Sequence, residues 1–324
     1  MSSTAPIEFS PSSHELHDDP YPTYARLRVD APLYYSERHD FWTLSRYDDI
    51  ENALLEPHVF SSLRYLGDET KTRTNATSPS MITMDPPRHD ELRAIVNRAF
   101  TPRRIRDLEP RIRDIARELI EAFAESGRCD LYRDFSGPLP TTVIAELLGV
   151  PVSDREWFKE KSTDIISNLV PEQVGDGGSN NSSELGVYLA GVFEEKRRKP
   201  GDDLMSALLE ADIDGVKLTT VELAGFAVLL LIAGNETTTN LISNATQQLD
   251  RFPDERRRLI ESPSLLKTAI EEFLRYDSPV QGLERWVASD VEVRGRKLRR
   301  GARVFLLLAS GNRDEQQFPE PERF

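Results

Sequence analysis

The feature that most constrains the fold is an apolar run that leads without a break into a polar segment. Residues 223–234 read LAGFAVLLLIAG, and residues 233–240 read AGNETTTN. Just before the run, Thr219 and Glu222 have the spacing of a capping box, which opens a helix. The sequence therefore predicts a long helix whose first half is apolar. The run of about 12 residues is shorter than the roughly 20 needed to span a bilayer, so we expect it to lie in a protein core.

Helical periodicity also dominates the rest of the chain. Apolar residues recur at helical spacing, which predicts helices over residues 87–100, about 110–125, 140–148 and 263–276. Beyond Pro279 the period changes, and the alternation in VEVRGRKLRRGARVFLLL predicts a short β-hairpin or meander. The sequence shows no internal repeat and no linker. We therefore expect a single domain over residues 1–324 that is mainly α with small β-sheets.

Two segments have the composition of loops. Residues 61–80 and residues 171–184 are rich in glycine, serine, asparagine and threonine. Both are interpreted either as surface connections or as lids over a site, since long loops in a compact domain often cover one.

Composition and charge narrow the classes of function. The chain has 324 residues, of which 38% are hydrophobic and 30% charged, and its net charge is −14. These values are typical of a globular protein, and an acidic chain is a poor general binder of nucleic acid or anionic membranes. The polar, proline-rich start has no pattern of a signal peptide or membrane anchor. We therefore expect a cytoplasmic protein that binds neither nucleic acid nor membranes.

The polar segment at residues 233–240 is a candidate for chemistry. A buried carboxylate such as Glu236 needs a partner or a shifted pKa. A threonine hydroxyl such as that of Thr237 can bond to a carbonyl one turn earlier. Gly234 allows a close approach to the backbone. Two interpretations stay open: the helix emerges into solvent after Gly234, or an acid–alcohol pair handles protons beside a ligand.

A second candidate is the segment EEFLRYDSPV, in which Glu272 and Arg275 lie three residues apart. Such a pair shares one helix face. It is either an ordinary surface ion pair, worth about 0–1 kcal/mol, or part of a buried network. A buried version needs a third group, and Arg323 is a candidate.

A third candidate is MDPPRHDELR, where a loop gives way to a helix. His89 and Arg93 lie four residues apart on one face, and both side chains can donate to an anion. The alternative is a solvated helix start.

Six arginines stand close together in a segment that has only Asp90 and Glu91 as acids; they lie at positions 88, 93, 98, 103, 104 and 106. This cluster is either a solvated helix face or a docking surface for an acidic partner. Nucleic acid is a less fitting partner, because the segment has no aromatic interleaving and no recognition motif.

Taken in order, these segments resemble the cytochrome P450 family, and the match is similar to that of soluble bacterial members. AGNETT resembles the oxygen-activation segment and EEFLRY the Glu-x-x-Arg helix. MDPPRH followed by ELR resembles the propionate-binding helix start, and NRDEQQFPEPERF the approach to the haem-binding loop. The resemblance covers essentially the whole chain. It implies a haem-dependent monooxygenase, an oxidoreductase that inserts one oxygen atom from O2 into an apolar organic substrate.

The resemblance also implies roles for individual residues. Glu236 and Thr237 would relay protons to dioxygen. The residues that face the iron of haem b or hold its propionates would be Ala233, Gly234, His89, Arg93 and Arg285. The structural network behind the haem would consist of Glu272, Arg275 and Arg323. The substrate pocket would be lined by Ile232, Val280 and Leu283.

The implied electron donors are a ferredoxin and a ferredoxin reductase. In the family, the helix that carries the arginines lies on the side of the haem where electrons enter. We therefore predict that an acidic ferredoxin docks on this arginine cluster, steered by charge.

The family's iron ligand is a cysteine thiolate in a Phe-Gly-rich loop, beyond the segment that ends here at Phe324. Electron donation by the thiolate favours O–O cleavage. Cys129 is the one cysteine of the chain and lies between predicted helices, so we expect an ordinary buried or half-buried thiol and not a ligand. The chain as written is then expected to bind haem weakly or not at all. The alternative function is a truncated, catalytically inactive remnant without a bound haem.

Overall fold

Helices account for most of the computed structural model, with two small β-sheets in the part of the chain that it describes. The described residues are 7–11, 13, 15–63, 80–167, 177–201, 204–212 and 217–324. The chain divides into two compact units: unit 1 comprises Met1–Ala76 and Asn244–Phe324, and unit 2 comprises Thr77–Ser243. The mainly α fold with small sheets is confirmed, while the single domain over residues 1–324 stays a prediction.

The helices are numbered in chain order. They are α1 (Glu15–Asp18), α2 (Tyr21–Asp30), α3 (Tyr47–Leu55), α4 (Arg88–Ala99), α5 (Pro102–Ala124), α6 (Pro138–Leu148), α7 (Arg155–Ser167), α8 (Gly177–Arg198), α9 (Leu204–Glu210), α10 (Thr220–Arg251), α11 (Pro253–Glu261), α12 (Leu266–Tyr276) and α13 (Leu308–Gly311). A π-helical turn, Tyr132–Ser136, precedes α6.

Within the described residues, all strands lie in unit 1. They are β1 (Leu33–Ser36), β2 (Phe41–Leu44), β3 (Phe60–Ser61), β4 (Leu283–Val287), β5 (Val291–Val293), β6 (Arg296–Leu298) and β7 (Arg303–Leu306). The larger sheet has the order β1-β2-β7-β4-β3, in which only the β2–β7 pair is parallel, and β5 and β6 form the smaller sheet.

The segment predicted as a β-hairpin or meander contains a hairpin, β5–β6, but the strand that follows it, β7, joins the larger sheet. Val293 pairs with Arg296, and the two turn residues, Arg294 and Gly295, both have positive φ, as a two-residue hairpin turn requires. In β7, by contrast, Val304 and Leu306 are fully buried in the core of the larger sheet. Burial of these apolar side chains places β7 beside β2 and β4 and not beside β6.

Most of the predicted helices are confirmed, and α5 shows where local signals mislead. The prediction that this helix begins near Pro110 is wrong, because it begins at Pro102. The Thr101 side chain caps it by accepting a hydrogen bond from the Arg104 N–H at 3.3 Å, and proline is favoured at the first helical position. Pro110 lies inside the helix.

The two predicted loops have different outcomes. Of the first, residues 64–79 lie outside the described residues. The second is only partly a loop: α8 begins at Gly177, so the prediction is wrong for residues 177–184. Residues 168–176 lie outside the described part.

The core of unit 2 lies around the first half of α10. Its buried side chains include Leu223 and Leu231 of α10, Ile95 of α4, Leu148 of α6 and Phe193 of α8. Because apolar burial is the main favourable term in folding, these contacts fix α10 within unit 2.

The predicted capping box at the start of α10 is confirmed. The Glu222 N–H donates to Oγ1 of Thr219 at 3.2 Å, and the Thr219 N–H donates to the Glu222 carboxylate at 3.0 Å. Each side chain thus satisfies a backbone donor of the other residue. Arg88 of α4 donates to the same carboxylate.

Helix α10 continues well past the apolar run. By length and composition alone it could cross a membrane: its most apolar 18-residue window has a mean hydropathy of 1.3, and 28% of that window is buried. Core helices of soluble proteins meet the same two criteria.

Candidate functional site

The polar segment of α10 stays helical, and its residues divide between two sides of the helix. Ala233 and Glu236 are exposed, whereas Asn235 and Thr239 are buried with 6% and 4% exposure. Oγ1 of Thr237 donates to the carbonyl oxygen of Ala233 at 2.6 Å. The threonine hydroxyl therefore bonds back one turn, as is common for threonine within helices.

The carboxyl group of Glu236 has an unusual environment. The surrounding protein desolvates it, and this raises its pKa above the ordinary value, because desolvation disfavours the charged form. Within the described residues, Glu236 has no hydrogen-bond or ion-pair partner. An acid of this kind holds its proton to a higher pH than an ordinary surface carboxyl, which suits a proton donor.

Gly234 lies where α10 packs against α6. A Cβ atom at this position would lie 3.1 Å from Cδ1 of Ile144, closer than ordinary carbon contacts. The absent side chain thus allows the two helices to approach. Its role of facing an iron stays a prediction.

The two predicted anion-binding residues of α4 lie at the margin of its buried face, which includes Leu92 and Val96. His89 is half-buried, and its Nδ1 lies 2.9 Å from Oδ1 of Asp90. Arg93 is exposed and, among the residues that the structure describes, has no hydrogen-bond or ion-pair partner. Its guanidinium can therefore bind a carboxylate without breaking an existing contact.

The remaining predicted cofactor and pocket residues lie in or near β4, apart from Ile232 of α10. Arg285 is half-buried, and its Nη1 donates to the Glu284 carbonyl oxygen at 2.9 Å. Val280, Leu283 and Ile232 are likewise half-buried. Each of them therefore exposes some apolar surface within its own unit.

The structure brings Glu272 and Arg275 of α12 together in unit 1. Nε and Nη2 of Arg275 donate to the two carboxylate oxygens of Glu272 at 2.7 Å and 2.6 Å. The Arg275 side chain is 14% exposed. This bidentate, largely buried pair differs from an ordinary surface ion pair.

The third member of this network is not the Arg323 side chain. The remaining N–H groups of Arg275 donate to backbone carbonyl oxygens of Asn312 at 3.1 Å, Pro321 at 2.9 Å and Arg323 at 3.1 Å. The Arg323 guanidinium is 77% exposed and lies 3.4 Å from Glu320. Arg323 thus contributes an acceptor oxygen, which Arg275 needs, and not a second positive charge, which would repel it.

The sequence analysis missed Arg313, a central residue of unit 1. Its guanidinium carbon lies 3.4 Å from the ring centre of Tyr21 and 4.1 Å from that of Tyr276. Nη1 pairs with Glu322 at 2.6 Å. A cation between two aromatic faces is stabilised by both rings. The only sequence signal is an arginine in NRDEQQF, which does not reveal partners far away in the chain.

Cys129 is exposed, so the expectation of a buried or half-buried thiol is wrong. It follows the end of α5, in a short connection to the π-helical turn. No group of three or more His, Cys, Asp or Glu side chains that could hold a metal ion occurs in the described ranges.

The arginine cluster is partly engaged in contacts within unit 2. Arg88 pairs with Glu91 and Glu222, and Nη1 of Arg98 donates to the Asp212 carbonyl oxygen at 2.6 Å. Arg103 lies 3.9 Å from Asp107, with both side chains exposed. Arg106 is exposed and makes no ion pair with any residue that the structure describes. The cluster therefore leaves positive charge at the surface.

Comparison with known proteins identifies the family. A model of the cytochrome P450 family matches residues 30–324. The chain belongs to the cytochrome P450 family. It is 43% identical to a vitamin D(3) 25-hydroxylase of Pseudonocardia autotrophica, over 94% of this chain and 76% of that protein. It is 38% identical to the cytochrome P450 monooxygenase PikC of Streptomyces venezuelae, over 94% of this chain and 74% of PikC.

Solved cytochrome P450 structures share the fold. The crystal structure of CYP109E1 from Bacillus megaterium in complex with testosterone has a TM-score of 0.84 and 40% sequence identity, over 94% of this chain and 80% of that chain. Members of the family are haem-dependent monooxygenases that bind haem b and take electrons from redox partners.

The described residues of α10 and α4 in unit 2 have the chemistry that a haem group needs. Haem b is a flat, largely apolar macrocycle with two carboxylates. In α10 only 28% of the most apolar window is buried, and Ala233 is exposed there, so apolar surface is available to such a ring. Arg93 offers a guanidinium for a carboxylate. The expectation that the chain as written binds haem weakly stays a prediction.

Proposed function

We propose that this chain is a cytoplasmic monooxygenase that inserts one oxygen atom from O2 into an apolar, steroid-like substrate, with electrons from a ferredoxin and its reductase. The observation that carries the proposal is the exposed side of α10. There a desolvated acid, Glu236, adjoins a threonine hydroxyl, next to the exposed apolar residue Ala233. Proton donors beside apolar surface suit oxidation of an apolar molecule, because the reaction consumes protons where water is excluded.

The residues of the chain have distinct tasks in this proposal. When bound, haem b supplies the redox chemistry. Arg93 and His89 of unit 2 would bind its propionates by charge-assisted hydrogen bonds, and the same role for Arg285 stays a prediction from the sequence. The Glu236 carboxyl, with its raised pKa, would keep its proton to a higher pH than an ordinary carboxyl. The Thr237 hydroxyl donates to the Ala233 carbonyl oxygen, with 2.6 Å between the two oxygen atoms, and rotation about the Cα–Cβ bond would release this hydroxyl to donate to a bound ligand.

The names of relatives support the substrate class. The Pseudonocardia relative is a vitamin D(3) 25-hydroxylase, and CYP109E1 has been crystallised with testosterone and with corticosterone. Those ligands are rigid, apolar and several rings wide. Ile232 of unit 2 and, in unit 1, Val280 and Leu283 are half-buried apolar residues, and their role in lining a pocket for such a ligand stays a prediction.

The substrate class is tested by titrating the haem-loaded protein with testosterone, corticosterone and vitamin D3 while recording the Soret absorbance. We expect a saturable spectral change with at least one of the three, because an apolar ligand that binds beside the haem would change the surroundings of the haem. A disaccharide of similar size is the control and is expected to give no change. Absence of saturable binding for all three ligands would exclude the steroid-like class but not membership of the family.

The ferredoxin surface is tested by charge reversal. The triple variant carries Arg98→Glu, Arg103→Glu and Arg104→Glu. At low salt we expect an acidic ferredoxin to reduce the haem of this variant about tenfold more slowly, or slower still, than that of the wild type. The reason is that electrostatic steering raises association rates by about 10 to 1,000-fold. The difference should shrink at high ionic strength. Reversal of the exposed α11 residues Arg256, Arg257 and Arg258 is the matched control. Equal reduction rates for the two triple variants at low salt would reject this docking surface.

A further inference from the structure

Polar side chains connect α10 to the segment that precedes and opens α6, on the side of α10 that faces the protein interior. Nδ2 of Asn235 donates to Oγ1 of Thr141 at 2.8 Å. The Thr239 hydroxyl donates to the Ser136 carbonyl oxygen at 3.0 Å, and Oδ1 of Asn235 lies 3.1 Å from the same hydroxyl. All four residues are buried, with exposure of 6% or less. Polar groups this deeply buried are costly unless they are bonded, and here each of them is.

A third contact continues the series along α10. The hydroxyl oxygens of Ser136 and Ser243 are 2.9 Å apart. Asn235, Thr239 and Ser243 are spaced by four residues, so they lie on one face of the helix. We call these three residues and their partners, Ser136 and Thr141, the polar ladder.

The local sequence explains why the partner segment needs a side-chain donor. The Ser136 carbonyl stands where the π-helical turn ends and α6 begins at Pro138. Residue 140 is also a proline and has no N–H to offer this carbonyl. The Thr239 hydroxyl supplies a donor at 3.0 Å. The contact therefore satisfies a backbone acceptor that its own helix leaves open.

The ladder determines which residues α10 turns outward. Ala233 and Thr237 lie two residues before and after Asn235, which corresponds to about 200° of rotation in an α-helix. They therefore lie on the side opposite the ladder, and Ala233 is indeed exposed. Apolar packing alone is non-directional and tolerates small rotations or slips, whereas hydrogen bonds require defined distances and angles.

We infer that Asn235, Thr239 and Ser243 are positioning residues, which fix the rotation and axial position of α10 and so hold Glu236 and Thr237 toward the reacting molecule. This inference rests on the proposed function for the part played by Glu236 and Thr237. The side chains of Asn235, Thr239 and Ser243 bond to Ser136 and Thr141 within the protein, so their role is one of positioning and not of direct chemistry.

The test compares Thr239→Val, which removes the hydroxyl but keeps the shape, with Thr239→Ser, which keeps the hydroxyl. Thr163→Val is the matched control, since among the described residues Oγ1 of Thr163 bonds only to the Lys159 carbonyl oxygen one turn earlier, on the exposed side of α7. Amide hydrogen exchange over residues 233–240 and the titration of the Glu236 carboxyl by 13C NMR are measured. The Glu236 signal is assigned with Glu236→Gln.

We expect Thr239→Val to speed exchange over residues 233–240 about tenfold, as loss of one buried hydrogen bond implies. It should also shift the pKa of Glu236 toward its ordinary value, because a turned helix moves the carboxyl away from the protein atoms that desolvate it. Thr239→Ser should match the wild type in both measurements. If Thr239→Val does not fold, Ser243→Ala removes only the last contact and is measured over residues 236–243.

Two outcomes overturn the inference: Thr239→Val behaves like Thr163→Val in both measurements, or Thr239→Ser behaves like Thr239→Val. Failure of the proposed function is a separate result, since it is read from Thr237→Ala. If Thr237→Ala leaves product formation unchanged while Thr239→Val alters exchange and the Glu236 titration, the proton role is wrong and the positioning role stands.

Discussion

Replacement of Arg275 by alanine is expected to lower the free energy of unfolding by about 3–5 kcal/mol, the cost of removing one partner from a buried ion pair. Arg275 bonds to both carboxylate oxygens of Glu272 and to three backbone carbonyl oxygens. Its loss leaves a half-buried carboxylate and three acceptors without their donor. The loss is measured by urea denaturation, followed by far-UV circular dichroism.

Two further variants separate this network from a general effect of charge. Arg323→Ala is expected to change stability by less than about 0.5 kcal/mol, because the Arg323 side chain is 77% exposed. Arg275→Lys keeps the charge but loses the bidentate geometry, so an intermediate loss is expected. Similar losses for Arg275→Ala and Arg323→Ala would show that the guanidinium of Arg323 takes part in the network after all.

The second large effect is expected at Thr237. In the haem-loaded enzyme, Thr237→Ala should lower the product formed per electron consumed by about 100-fold, the lower end of what a positioned proton donor contributes. The hydroxyl is the only side-chain group of Thr237 that can donate a proton. Alanine lacks it and is a good helix former, so the helix is retained. Product is quantified by chromatography with testosterone as substrate, against the reducing equivalents consumed.

The neighbouring threonine supplies a matched control for this prediction. Thr238 lies on the same turn of α10 and is exposed, so Thr238→Ala tests the loss of a hydroxyl without the proposed proton role. Thr237→Ser retains the hydroxyl and should keep most of the coupling. Coupled product formation by Thr237→Ala equal to that of the wild type would reject the proton role of this hydroxyl.

Predictions from the sequence were accurate where the signal is local. The capping box of Thr219 and Glu222 formed as predicted. A hairpin also formed in the segment after Pro279 where a hairpin or meander was predicted, and both features depend on neighbours within a few positions. Helix α4 followed from the spacing of Leu92, Ile95 and Val96. Family membership likewise followed from short motifs in the right order.

The wrong predictions concern competition between local and distant effects. Pro110 read as a helix start, but the cap at Thr101 and the packing of Ile115 carry α5 through it. The sequence predicted that the segment of β7 belongs to the hairpin or meander. In the structure this strand lies in the larger sheet, where Val304 and Leu306 are buried. In both cases the burial of apolar side chains stabilises the observed structure more than the local sequence signal favours the predicted one.

The sequence by itself determined the family, the helical class and which residue types stand in the candidate site. The tertiary structure alone decided their orientation: that Asn235 and Thr239 turn inward while Ala233 and Glu236 are exposed, and that Arg323 offers a carbonyl oxygen and not its guanidinium. The physical reason is the same in each case. The sequence gives the type of each side chain directly, but the burial and hydrogen bonding of a side chain depend on partners far away in the chain. Ser136, for example, lies roughly a hundred residues before Thr239, which bonds to it.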